Sequence, residues 1–115
     1  MADFERVRRV NEVLRREISG YLEKYVAADL KCLATVTQVK VSPDFRDAKV
    51  LISFLGGTEG LHKNTLLKIQ KHRNKIQSQI NRNMKIRCTP KLEIITDDSI
   101  AKGAEILRKM DELGL

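Results

Sequence analysis

"TVTQVKVSPDFRDAKVLISF", residues Thr35–Phe54, alternates apolar and polar side chains in two runs separated by a turn. Period-two alternation predicts strands with one covered and one exposed face. In the turn, Pro43 fixes φ and Asp44 can accept hydrogen bonds from nearby backbone amides, so we expect an antiparallel hairpin. Its covered face is predicted to hold Thr37, Val39 and Val41 from the first strand and Ala48, Val50, Ile52 and Phe54 from the second.

Helical patterns flank the hairpin. Apolar residues recur every three or four positions over Asp3–Tyr25 and again over Leu61–Asn83, which predicts amphipathic helices. Lys91–Thr96 reads as a third strand, and Ile100–Met110 as a last helix. The order indicates a single α+β domain over residues 1–115, with helices on one face of a small sheet. The predicted apolar stripes are Phe4, Val7, Val10, Leu14, Ile18, Tyr21 and Tyr25 in the first helix and Leu66, Ile69, Ile76, Ile80 and Met84 in the middle region.

Composition limits the classes of protein that fit. The 115 residues are 42% hydrophobic and include no Trp, which allows one aliphatic core. No run approaches the roughly 20 apolar residues of a membrane span, and the first ten residues have no signal-peptide core. Cys32 and Cys88 lie far apart and away from both histidines, so we expect reduced thiols, a cytoplasmic protein, and neither a metal nor a cofactor.

Positive charge is concentrated in one part of the chain. The net charge is +7, yet Gly60–Leu92 carries nine Lys and Arg and no Asp or Glu. The remaining residues hold thirteen cations against fifteen acids. Such placement favours a polyanionic partner. Nucleic acid fits better than a membrane, because the moderate aliphatic stripe beside the cations is needed to cover the sheet. The alternative is a solvated basic face with no partner.

The basic helical region contains one misfit. Lys68, Lys71, Lys75 and Arg82 fall on one side of a straight helix, opposite the apolar stripe. Arg73 would point into the stripe, so either its side chain reaches out to solvent or the helix breaks nearby. Asn74 is the best local candidate for a break, because Asn visits the left-handed region more readily than most residues. The amides expected to donate to phosphate, ribose or base edges are Asn74, Gln77, Gln79, Asn81 and Asn83.

No catalytic set is visible in the sequence. "GGTEG", Gly56–Gly60, lacks the Lys-Ser/Thr ending of a phosphate-binding loop and is expected to be a flexible connection. Asp97 and Asp98 precede a predicted helix and are better placed to cap it than to act as paired catalytic acids. We therefore expect a binding protein and not an enzyme.

Three stretches, the opening "RVRRVNEVLRREIS", the hairpin "VKVSPDFRDAKV" and the tail "RCTPKLEIITDDSIAKGAEI", together span nearly the whole chain. In this order they resemble the ribosome-binding factor A family. The positions that carry the resemblance are Arg6, Arg9, Val10, Arg16, Glu17 and Ile18, then Val39, Val41, Ser42, Asp44, Ala48 and Val50, then Arg87, Pro90, Leu92, Asp97, Ser99, Gly103 and Ile106.

The resemblance implies a type II KH-like domain in which two helices meet at a kink. The family pattern at the kink is Ala-x-Gly, which falls on His72-Arg73-Asn74, so this chain departs from the family at both defining positions. The resemblance also implies a monomeric assembly factor that binds the small (30S) ribosomal subunit or its precursor. Its expected role is late maturation of 16S rRNA near the 5′ end, with greater importance at low temperature.

Charge and resemblance together define a predicted RNA-binding surface. It comprises Lys68, Lys71, His72, Arg73, Asn74, Lys75, Arg82, Lys85 and Arg87, extended by Arg6, Arg9 and Arg16. The alternative function is a KH-like adapter that binds mainly a protein, with the basic face only solvated.

Overall fold

The computed structural model describes residues 2–84, 89–97 and 114. Its first element is helix α1 (Ala2–Tyr25), followed by one 3₁₀ turn (Ala27–Asp29). The predicted apolar stripe is buried only in its second half, at Leu14, Ile18 and Tyr21. Phe4 is 74% exposed and Tyr25 is 50% exposed, so both ends of the predicted stripe lie outside the core. Leu22 and Val26 are buried at the C-terminal end of α1, so Tyr25 is exposed because it faces away from the core, whereas Phe4 lies at the end that extends beyond it.

Three strands form one sheet in the order β1 (Leu33–Val41), β2 (Asp47–Leu55) and β3 (Lys91–Thr96). β1 and β2 are antiparallel, which confirms the predicted hairpin, and β2 and β3 are parallel. In the connecting turn the Asp44 carboxylate accepts hydrogen bonds from the Ser42 hydroxyl at 2.6 Å and the Arg46 amide at 3.1 Å.

A β-bulge in β1 changes which residues face the core. Val36 pairs with Ile52 and Gln38 with Leu51, so Thr37 is the extra residue. The prediction that Thr37 lies on the covered face is therefore wrong, since the strict period of two fails where one strand carries an additional residue. Thr37 is exposed and its hydroxyl donates to the Leu51 carbonyl at 3.2 Å. The buried β1 residues are Val36, Val39 and Val41.

Two helices replace the single long helical pattern. α2 (Glu59–Lys71) ends at His72, and α3 (Arg73–Met84) starts at the next residue. The Thr58 hydroxyl caps α2 by accepting a hydrogen bond from the Leu61 amide at 3.2 Å, so the helix begins inside the predicted "GGTEG" loop. At the junction the His72 amide donates to the Ile69 carbonyl at 2.9 Å, an i→i−3 closure that tightens the last turn.

The break does not use a left-handed residue. Asn74 lies within the first turn of α3, and Phe45 is the one non-glycine residue of the described ranges with positive φ. The expectation that Asn74 provides the break is wrong, because the two helices meet through His72 at φ −86° and ψ −2°. A tightened last turn is enough to change the helix direction here.

One aliphatic core lies between the helices and one face of the sheet. α1 packs on β1, and α2 and α3 pack beside β3. Ile69, Ile76 and Ile80 are buried as the stripe predicts, with Leu66 and Met84 partly buried at its ends. The sheet contributes Val36, Val39, Val41, Ala48, Val50, Ile52, Leu92 and Ile94. The predicted C-terminal helix, Cys88, Lys85 and Arg87 lie outside the described residues.

Candidate nucleic-acid interface

Four predicted cations are exposed on the two helices, and they line two neighbouring clefts that both include His72. Lys68 and Lys71 come from α2, and Lys75 and Arg82 come from α3. We call these four residues the basic face. The ion pairs within residues 2–84 and 89–97 are Arg8–Glu5 and Arg15–Glu12, both on α1. None of the four makes an ion pair with a described carboxylate, although Asp29 lines a cleft together with Lys68 and Lys71. Most of this positive charge is therefore available to phosphate groups.

His72 lies at the helix junction and connects it to α1. Its Nδ1 is 2.9 Å from the hydroxyl oxygen of Tyr21, and the two rings meet edge to face with centroids 5.7 Å apart. Tyr21 is only 6% exposed, and burial raises the pKa of its phenol above the ordinary 10.0, with the neighbouring Tyr25 adding to the effect. The phenol therefore keeps its proton and can donate to an unprotonated Nδ1. This contact joins residues 51 positions apart.

A cleft of about 530 Å³ opens between the end of α1 and α3. Its walls include Tyr21, Tyr25, His72, Asn74, Lys75, Gln79 and Arg82. Tyr25 stands at the rim, with its ring centroid 4.9 Å from that of Tyr21. Sequence reasoning missed both tyrosines because they were counted as core residues of the α1 stripe. In the sequence, a tyrosine at the end of an apolar stripe was a signal for a polar contact there, since the hydroxyl of a buried tyrosine usually needs a hydrogen-bond partner.

Arg73 lies on a different side of the junction. It is half-buried and lines a second cleft, of about 1030 Å³, together with Gln70 and residues of β3 that include Lys91 and Glu93. The break at His72 explains how Arg73 avoids the core, which confirms one of the two predicted outcomes. Arg73 therefore lies outside the cleft of about 530 Å³ that Tyr25, Lys75 and Arg82 line.

Three of the five predicted amide donors have structural partners. The Gln77 side chain donates to the Pro90 carbonyl at 3.0 Å, and the Asn83 side chain donates to the Glu17 carboxylate at 2.9 Å. The Asn81 side-chain oxygen accepts from the Thr89 hydroxyl at 3.1 Å. Asn74 and Gln79 both line the cleft. The NH2 groups of Gln77 and Asn83 are therefore occupied, whereas Asn81 uses only its oxygen and keeps its NH2 group as a donor.

The α1 arginines lie on ordinary mixed surface. Arg6 places its guanidinium 5.4 Å from the ring centroid of Phe45, in the β1–β2 turn. The hydrogen bond and charge of Arg15 lower the pKa of Glu12, and Arg16 adds a smaller effect in the same direction. Arg9 and Arg16 are exposed. The structure brings none of Arg6, Arg9 and Arg16 into the clefts beside the basic face.

Within the described ranges, no three His, Cys, Asp or Glu side chains are grouped closely enough to hold a metal ion. A search of the same residues finds no helix with the length and apolar character needed to span a membrane.

The fold and site define a type II KH-like α+β domain with an exposed basic face beside the helix junction. A family model described as ribosome-binding factor A matches residues 6–110. A ribosome-binding factor A from Opitutus terrae is 33% identical over 108 residues, which cover 94% of this chain and 87% of the relative. The chain belongs to the ribosome-binding factor A family.

Solved structures support the same fold. The crystal structure of ribosome-binding factor A from Thermus thermophilus is 20% identical with a TM-score of 0.65, covering 78% of this chain and 93% of that one. A homology model of the Thermus thermophilus protein, fitted into a cryo-EM map of a 30S–RbfA complex, gives a TM-score of 0.61 at 20% identity. It covers 76% of this chain and 91% of that chain.

Proposed function

We propose that this protein is a non-enzymatic assembly factor that binds the small ribosomal subunit or its precursor and assists late maturation of 16S rRNA. Membership of the ribosome-binding factor A family supports ribosome binding. The Thermus thermophilus relative fitted into a 30S–RbfA map supports the small subunit as the partner. The observation that carries the proposal is the basic face, whose four exposed cations come from two helices and have no acidic partner among the described residues.

The proposed mechanism of binding is neutralisation of RNA phosphates. Each Lys or Arg that contacts a phosphate releases condensed counterions, and affinity falls with salt by about 0.7–0.9 logarithmic units per contact for each tenfold rise in salt. Lys68, Lys71, Lys75 and Arg82 are the principal contacts, because all four are exposed and line the clefts that meet at His72. His72 positions that junction through Tyr21.

The remaining predicted residues take secondary places in the proposal. Arg73 contacts RNA from the cleft along β3, and Asn74 contacts it from the first turn of α3. Lys85 and Arg87, which lie outside the described residues, are proposed as further contacts because they belong to the same acid-free segment of the sequence. Arg6, Arg9 and Arg16 contribute least, since Glu5 and Glu12 lie on the same helix.

The family resemblance supplies the finer parts of the proposal. We infer a monomer that acts in the cytoplasm near the 5′ end of 16S rRNA, with its greatest importance at low temperature. A protein-binding adapter remains the alternative, and it differs in one measurable property. Association with a protein through apolar contacts resists salt, whereas phosphate contacts weaken steeply as salt rises.

Sedimentation of a cell lysate tests the proposal. The protein is expected to comigrate with free small subunits and not with assembled ribosomes, and to leave the subunits as salt is raised. Comigration with a protein fraction that contains no rRNA and resists salt would support the adapter instead. A ribonuclease-treated lysate is the control, because digestion of the RNA should release an RNA-bound protein.

A further inference from the structure

We propose that the cleft between α1 and α3 holds one unstacked RNA nucleotide, with its base against the ring of Tyr25 and its phosphate beside Lys75 and Arg82. This inference rests on the proposed RNA-binding function and names a contact within it. The cleft, of about 530 Å³, lies beside the basic face and shares Lys75 and Arg82 with it.

Tyr25 has the properties of a stacking surface. Half of the residue is exposed, although its ring is held against Tyr21 with centroids 4.9 Å apart and an interplanar angle of 47°. Tyr21 is itself buried and bonded to His72. An exposed aromatic ring with a fixed orientation can stack on a base at little entropic cost, and such stacking tolerates any base.

The ring already attracts a cation on its accessible surface. The Lys24 ammonium lies 5.2 Å from the Tyr25 ring centroid. Lys24 is an exposed side chain on a flexible stem, so a base can replace it on the ring. The displaced ammonium would remain within the basic surroundings that attract the nucleotide's phosphate.

The opposite wall has the groups that a nucleotide needs. Lys75, Gln79 and Arg82 follow an i, i+4, i+7 spacing, which places them along one side of α3. Arg82 is therefore two turns from Lys75, and the amide of Gln79 lies between the two cations. Asn74 and Gln79 make no side-chain hydrogen bond to any described residue, whereas Gln77, Asn81 and Asn83 do. Both free amides lie in this cleft and can reach a base edge.

Photocrosslinking of a single-stranded RNA 12-mer containing 4-thiouridine tests the site on the full-length protein. We expect the crosslinked peptide to contain Tyr25. Tyr25→Ala should lose that crosslink and weaken binding about tenfold, whereas Tyr25→Phe should retain both. Phe4→Ala is the matched control, because Phe4 is also an exposed aromatic residue on α1 and lies outside the cleft.

The outcomes separate this inference from the proposed function. Unchanged binding and crosslinking in a folded Tyr25→Ala variant would overturn the nucleotide site while leaving RNA binding intact. Equal losses in Tyr25→Phe and Tyr25→Ala would overturn stacking, since the phenylalanine ring keeps the aromatic surface. If the wild-type protein binds no RNA at all, the proposed function itself fails.

Discussion

The hydroxyl of Tyr21 lies 2.9 Å from Nδ1 of His72, and this contact ties α1 to the residue at which α2 ends and α3 begins. The His72 carbonyl also accepts a hydrogen bond from the Ile76 amide at 2.9 Å, so the same residue starts the α3 ladder. An imidazole occupies this position, and a tyrosine of the first helix supplies the partner that fixes the junction.

Removing the Tyr21 hydroxyl should destabilise the fold. Tyr21→Phe keeps the ring but leaves the half-buried His72 without its partner, so the free energy of unfolding should fall by about 1 kcal/mol. Urea unfolding measures the change, and a double-mutant cycle with His72→Ala isolates the pair. If the free-energy changes of the two single variants simply add up in the double variant, Tyr21 and His72 do not interact directly. Tyr25→Phe is the control and should change stability by less than about 0.5 kcal/mol, because Tyr25 is exposed.

The Tyr21 phenol should also make stability depend on alkaline pH. Burial raises its folded-state pKa above the ordinary 10.0, so the folded protein binds the proton more tightly than the unfolded chain. The phenol's contribution to the free energy of unfolding is fully present below about pH 10, and it is lost as the pH rises through the folded-state pKa of Tyr21. The stability difference between wild type and Tyr21→Phe should therefore be constant near neutrality and shrink above about pH 10. If the stability difference instead grows above about pH 10, the pKa of Tyr21 is not raised in the folded state.

Asn74→Ala tests how the helices are joined. Because Asn74 lies in a right-handed helical turn, alanine should leave stability unchanged or raise it by up to about 0.5 kcal/mol. A left-handed conformation at this position would instead make alanine destabilising by about 1–2 kcal/mol. The midpoint of thermal unfolding distinguishes the two, with unchanged helix content by circular dichroism as the check on folding.

Single substitutions on the basic face should reduce the salt dependence of RNA binding. Lys71→Ala or Lys75→Ala should weaken binding to small-subunit precursors and lower the slope of log affinity against log salt by about one unit each. A titration over several potassium chloride concentrations gives the slope. Arg46→Ala removes an equal charge at an exposed position of the hairpin turn, outside the clefts proposed to contact RNA, and should leave the slope unchanged. Equal slopes in all three variants would exclude the assigned contacts.

Local patterns predicted most of the fold, and contacts between distant segments account for what they missed. Val50 and Ile52 follow a period of two and Ile76 and Ile80 follow the helical repeat, so their burial was predictable. The bulge at Thr37 depends on how β1 pairs with β2, and alternation within one strand carries no information about it.

The candidate site was predicted by charge but not by shape. The absence of acids around Lys71 and Lys75 marked the basic face in the sequence, and Arg73 marked the junction. Hydrogen bonds occupy the side chains of Gln77 and Asn83, and another links Tyr21 to His72. Each of them joins two separate segments of the chain. Such pairs depend on how α3 packs against α1 and against the start of β3, which a single sequence does not encode in any local pattern.

The most direct test of the account is binding of purified Lys71→Glu/Lys75→Glu protein to small-subunit precursors. The comparison is with Lys31→Glu/Arg46→Glu, which changes the net charge equally at exposed positions that line none of the clefts proposed to contact RNA. With both variants shown to unfold at wild-type temperatures, the account predicts that the first loses binding and the second retains most of it. Undiminished binding of a folded Lys71→Glu/Lys75→Glu variant would contradict the assignment of the basic face as the RNA-binding surface.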